Sequence, residues 1–198
     1  MLNFKIKLLD NVVFDQNELI SYYDTINKDY QHMKWIPGNN IDSKTHAVNE
    51  MYSWAVQSNL KDPTKPCPPY HIDAGEEISE ADNCQVPTEL IFGFGKKIID
   101  TFPEVRQLGI SGHPPNTKID LHPDNDEFLK IHIPIITNPD AWFFYEDEKF
   151  NMQVGNAYLV NTTILHGTYN QGSTDRIHMI FKFPAEQLET ILTGMYRI

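Results

Sequence analysis

Cysteine is nearly absent from this chain of 198 residues: only Cys67 and Cys84 occur, and no CxxC. That excludes a disulfide-dense scaffold and a cysteine-built metal framework, leaving at most one disulfide. Positive charge is also scarce. Lys and Arg number 16 against 27 Asp and Glu, a formal net charge of −11. Such a surface does not neutralise phosphates, which argues against nucleic acid as a partner and against anionic membrane surfaces. A small anionic ligand would need a local basic pocket to overcome the overall field. No apolar run reaches the roughly 20 residues that span a bilayer. The opening "MLNFKIKLLD" lacks the apolar centre of a secretory signal. The sequon Asn161-Thr162-Thr163 therefore reads as a chance match. The expectation is one cytoplasmic domain over residues 1–198, with no membrane and no internal repeat.

What is present suffices for a core, at 40% hydrophobic and 22% charged residues. Residues 2–9 alternate like a strand. Residues 14–30 read as a helix with Asp15 as N-cap and Leu19, Ile20, Tyr23 and Ile26 on one face. Signals weaken over 31–86, where "EMYSWAVQ" fits a helix or a strand, Pro63–Pro66 is a weak PxxP match in a loop, and "EEISEAD" is an acidic solvated stretch. Residues 87–102 return to helical periodicity, with Pro87 in the first turn. Gly93-Phe94-Gly95 is expected to follow no strand and open no helix, so it is not taken as a phosphate loop.

From Val105 on, short β-branched or aromatic segments alternate with the turns "PPN", "PDND", "NPD", "VGN" and "QGST". About eight strands so spaced imply a sandwich or barrel. The expected architecture is mainly β with flanking helices. A strand and helices in 1–104 pack on a β core in 105–184, and 185–198 closes as a helix.

One stretch raises a chemical question. In "KIDLHPD", His122 and Asp124 lie two residues apart, and on an extended strand residues two apart share a face. His166 follows another expected strand, in "ILHGTY". Two histidines and one carboxylate make the facial triad of non-haem Fe(II) oxygenases, which leaves positions open for co-substrate and O₂. Taken alone, His122-Pro123-Asp124 is also an ordinary turn. Ten residues beyond His166, Arg176 opens "DRIHMIFKF". A buried arginine there needs an anion, and its planar fork suits a carboxylate. A rim arginine paired with Asp175 or Glu146 is the plainer alternative.

Together, Ser111, "HPPN", His122, Lys130, "IHIPI", "VGNAYLVN", His166 and "DRIHMIF" resemble the aspartyl/asparaginyl β-hydroxylase family over residues 105–184. Asp124 stands where the animal enzymes of that family have glycine and the bacterial free-proline cis-hydroxylases have aspartate, so the resemblance leans to the latter branch. It implies a double-stranded β-helix (a cupin-like jelly roll) that binds Fe(II) and 2-oxoglutarate and uses O₂: a dioxygenase that hydroxylates a free amino acid or an amino-acid side chain. By the resemblance, His122, Asp124 and His166 would hold iron. Arg176 with Ser111 would grip the distal carboxylate of 2-oxoglutarate, His132 would lie along the co-substrate, and Lys130 would stand at a family arginine position. The implied partner is a small-molecule or peptide substrate.

Plainer readings stand beside these. Ser111 could serve only as a turn residue and His132 as a partly buried histidine. His178 shares the face of Arg176 as core or support. His113, at an expected site mouth, and Trp35 are the candidate substrate contacts, with a solvated loop and packing as their alternatives. Trp142 to Tyr145 read as core and rim. A non-catalytic cupin-like metal- or ligand-binding module is the rival function, and Arg176 is the feature it leaves without a purpose.

Overall fold

The structure, a computed structural model, describes residues 4–35, 47–48, 51–59, 84–124 and 128–198. Cys67, the PxxP match and the acidic stretch at 76–82 lie outside the described residues, as does the side chain of Cys84.

In chain order the strands β1 (Ile6–Leu8) and β2 (Val12–Val13) precede helix α1 (Gln16–Asp29). β3 (Met33–Trp35), β4 (Ala47–Val48), β5 (Met51–Ala55), β6 (Gln57–Asn59) and β7 (Cys84–Pro87) lead to α2 (Gly93–Thr101). Eight strands follow: β8 (Arg106–His113), β9 (Thr117–His122), β10 (Phe128–Ile136), β11 (Ala141–Tyr145), β12 (Lys149–Phe150), β13 (Tyr158–Val160), β14 (His166–Asn170) and β15 (Arg176–Pro184). A 3-10 turn (Ala185–Gln187), α3 (Leu188–Thr193) and β16 (Tyr196–Arg197) end the chain.

Two sheets make the body, one in the order β1-β13-β10-β15-β8-β5-β3 and one in the order β12-β11-β14-β9-β4. Their crossing connections are those of a double-stranded β-helix. Strands outside 105–184 share in it, since β1, β3 and β5 extend the large sheet and β4 the small one. The "EMYSWA" ambiguity resolves to strand β5, paired with β8.

Parity along the strands decides where the core lies. On β10, Ile131, Ile133 and Ile135 are buried with Ile177, Met179, Phe181 and Phe183 of β15 and with Leu19, Tyr22, Tyr23, Ile26, Phe94 and Ile98 of the helices. The main hydrophobic core therefore sits between the large sheet and α1–α2. Residues of opposite parity, Lys130 and His132 on β10 and Arg176, Ile180 and Lys182 on β15, line the interior between the two sheets. Each side chain buried on the helix side stabilises by roughly 1.5–3 kcal/mol, so the fold can keep a polar interior.

Several local expectations change. Asp15 caps α1 as expected, accepting from the Asn17 amide at 2.8 Å, but Tyr22 joins the buried face and Ile20 is exposed. The helix expected from 87 begins only at Gly93. Thr88 holds a turn first, its hydroxyl accepting from the Leu90 amide at 3.1 Å. Gly93 (φ +47) does open a helix, contrary to expectation, and β7 precedes it. Gly95 is occupied by packing: a Cβ there would meet the Tyr22 hydroxyl at 2.2 Å. The closing helix is short, and the chain after Gly194 pairs parallel to β2. Asn161 of the sequon is buried and donates to the Phe4 carbonyl at 3.0 Å. Among the described residues no helix is long and apolar enough to cross a membrane.

One irregularity borders the interior. Gly109 pairs with Ile180 and Arg106 with Lys182, so β8 spends one residue more than β15. Gln107 sits in that bulge with φ 50.

Candidate metal and co-substrate site

β9 and β14 pair so that His122 lies opposite His166. Each ring is tied by its own strand: His122 Nδ1 is 2.8 Å from the Asp120 carbonyl oxygen, and His166 Nδ1 is 3.0 Å from that of Ile164. A carbonyl only accepts, so both rings carry hydrogen on Nδ1 and leave the Nε2 lone pair for a ligand. The Asp124 amide donates to the Thr162 carbonyl at 2.8 Å, which brings its carboxylate to the two rings. Asp124 Oδ1 is 3.8 Å from His122 Nε2, and Oδ2 is 3.6 Å from His166 Nε2. The three donor atoms lie within 4.8 Å of one another. That is too wide for good hydrogen bonds and suits one ion with bonds of roughly 2.1 Å to each.

The electrostatics suit a cation. Burial pushes the Asp124 carboxyl up, but the ammonium groups of Lys130 and then Lys182 outweigh it and hold Asp124 well below the usual carboxylate range. Lys130 donates directly to Asp124 Oδ2. Burial pushes His166 down to about 4 against the pull of Asp124, so it stands neutral at pH 7, as a ligand must. Phe143 stacks on the His166 ring at 5.3 Å and fixes its plane.

Arg176 is 2% exposed and pairs across the sheet with His113. Its Nη2 is 3.2 Å from His178 Nδ1, while Nη1 is buried with no hydrogen-bond partner. Neither carboxylate of the plainer reading reaches it among the described residues: Asp175 takes the hydroxyl of Tyr52 instead. Burial lowers Arg176 to about 9, which leaves it charged at pH 7. A buried cation without a counter-ion is strongly unfavourable, so the position suits an anionic ligand. Ser111, buried at 5% exposure, lies on β8 between Ser53 and His178 of the flanking strands. His132 is buried with both nitrogens unpartnered. Burial and then Arg176 keep it neutral.

One cavity is lined by His122, His166, Lys130, His132, Ser111 and Arg176 among others. His113 also lines it, yet not at a mouth: it is 3% exposed beside Arg176, with Nδ1 3.4 Å from the Thr168 hydroxyl. Its burial sets aside the solvated-loop alternative. Trp35 lies in β3, and its side chain is outside the described residues. Phe143 and Tyr145 are buried, and Trp142 and Phe144 are half-buried. The sequence reading missed Ser53, Thr162 and Lys182, which line the same cavity. For Lys182 a signal existed, because it continues the parity of Arg176 along β15.

Comparisons with known proteins bear on the family and the fold. A family profile described as aspartyl/asparaginyl beta-hydroxylase matches residues 21–185. Among solved structures the chain resembles an oxidoreductase of the 2OG-Fe(II) oxygenase family from Burkholderia pseudomallei, at 13% identity and TM-score 0.56 over 90% of this chain and 85% of that one. It also resembles a Pseudomonas putida prolyl-4-hydroxylase, at 8% identity and TM-score 0.51 over 92% and 93%. At such identities the likeness is one of fold. A search of curated proteins gave no match.

Proposed function

The chain belongs to the aspartyl/asparaginyl β-hydroxylase family, and from that premise we propose an Fe(II)- and 2-oxoglutarate-dependent hydroxylase acting on a free amino acid or an amino-acid side chain. The observation that carries this reading is Arg176, a buried guanidinium arm without a partner in the same cavity as His122 and His166, which Asp124 joins as a third donor.

In this reading the two histidines and Asp124 hold the iron, and Arg176 with Ser111 binds the distal carboxylate of 2-oxoglutarate. His132 and Lys130 lie along the co-substrate. Metal and co-substrate supply the oxidising chemistry, in which 2-oxoglutarate and O₂ become succinate and CO₂ as the substrate gains a hydroxyl. The chain's own work is placement. The Asp120 and Ile164 carbonyls fix the tautomers of the ligand histidines, and the Lys130 ammonium holds Asp124 ionised. The dry walls around Phe143 and Ile119 keep bulk water from the reacting centre. No general base is required, which fits a sequence without a nucleophilic triad.

The test is succinate formation from 2-oxoglutarate with Fe(II), screened over free amino acids and peptides. Turnover that one substrate stimulates and Asp124→Ala abolishes is the expected result. Iron binding without any 2-oxoglutarate affinity would sink the proposal and favour a non-catalytic cupin-like module.

A further inference from the structure

We propose that His178 is a positioning residue for co-substrate binding: it holds one arm of the Arg176 guanidinium, so that the other arm meets the incoming carboxylate in a single orientation. This rests on the functional reading above and adds to it a residue which that reading leaves without a role.

The geometry is direct. His178 is fully buried, two residues along β15 from Arg176 and of the same parity, and it is not among the residues lining the cavity. Its Nδ1 lies 3.2 Å from Arg176 Nη2, the one hydrogen bond the structure shows for this guanidinium among the described residues. Arginine has no acceptor, so Nδ1 must accept and the ring hydrogen must sit on Nε2. The ring is thus a neutral acceptor, kept so by burial first and then by the Arg176 charge. Pro134 on one side and Ser111 on the other hold it in the sheet.

The choice of a neutral acceptor has a reason. A carboxylate at position 178 would hold the arm more firmly but would also satisfy the charge that the co-substrate needs. An aliphatic residue would leave the fork free to rotate, and that freedom would be lost only on binding. A neutral imidazole fixes the arm and leaves the charge available.

The experiment is calorimetric titration of 2-oxoglutarate into Mn(II)-loaded protein. His178→Leu is expected to weaken binding roughly tenfold, the range of one such hydrogen bond, with Mn(II) affinity unchanged. His178→Asn, whose amide oxygen can accept near the place of Nδ1, should recover most of the loss, and His178→Asp should not. In an Arg176→Lys background, where no fork remains to be held, His178→Leu should have no further effect. Nitrogen-15 spectra of the arginine side chains in metal-free protein give a readout independent of 2-oxoglutarate: rotation of the Arg176 guanidinium should be hindered in the wild type and free in His178→Leu. Should the leucine variant not fold, His178→Ala is measured in its place. Wild-type affinity in His178→Leu, an equal loss in the Arg176→Lys background, or unchanged guanidinium rotation would each overturn the role. A wild type that binds no 2-oxoglutarate would instead overturn the functional reading, and the spectra would still decide for or against His178.

Discussion

Along β15, Ile177, Met179, Phe181 and Phe183 join the core under the helices, while Arg176, Ile180 and Lys182 line the cavity on the other side. Along β10 the same division separates Ile131, Ile133 and Ile135 from Lys130 and His132. One face of the large sheet supplies cohesion and the other supplies chemistry. The comparison shows why a small protein can afford several buried ionisable groups at its centre: burial of α1 and α2 against the opposite face offsets their desolvation.

Substitutions on the two faces should therefore differ in what they change. The largest effect is expected on the apolar side. Phe181→Ala removes a fully buried ring that lies against Phe102 and should destabilise by about 3–5 kcal/mol in urea unfolding, with 2-oxoglutarate affinity of the folded fraction unchanged. A loss of affinity equal to the loss of stability would show that the faces are not separable.

Acid should act only through the polar side. His166 has a folded value of about 4, below its ordinary 6.5, so the unfolded chain takes up the proton first. Its stabilising contribution, about 3 kcal/mol, is complete above pH 6.5 and is lost as pH falls towards 4. His113, His132 and His178 are lowered in the same direction, chiefly by burial. Metal-free protein should lose stability over that window in denaturant titrations, and Phe181→Ala should shift the whole curve without changing its shape.

Arg176→Ala comes next. Removing a charge-assisted contact of about 1.5–3 kcal/mol should raise the KM for 2-oxoglutarate about 10- to 150-fold while Mn(II) still binds. Ser111→Ala should be the smallest, about two- to tenfold in the same KM, as befits a neutral hydrogen bond. If Ser111→Ala exceeded Arg176→Ala, the carboxylate would have been assigned to the wrong group.

Much of this was legible in the sequence, for a physical reason. Beyond Val105 the turn residues are strong and the strands alternate, so the strands there could be counted, and the spacing of His122 and Asp124 could be read as a shared face. The preceding half was less legible, because a strand such as β5 is buried on both sides. "MYSWA" carries no clean alternation, and its pairing with β8 is fixed only by the partner strand. The burial of His113 was not legible, because a "GHPPN" turn looks solvated. The hydrogen bonds of Asn170 to the His113 and Thr174 carbonyls, at 2.8 and 2.9 Å, fold that corner inward, a long-range fact no local pattern contains.

The bulge at Gln107 has a consequence for how such a chain can change its length. A single residue inserted into β15 between Arg176 and Phe183 would exchange its two faces, placing Met179 or Phe181 against the metal site and a lysine or histidine under the helices. Substitution can be gradual within these strands, but insertion cannot. Between Arg106 and Gly109, β8 carries one residue more than β15 opposite it and expels the surplus into a positive-φ kink at Gln107, so that Ser111 still reaches the cavity and Ile110 the core. Inherited changes of length should therefore settle in the turns at 138–140 and 154–156, or occur as such kinks, and the strands themselves should keep their count.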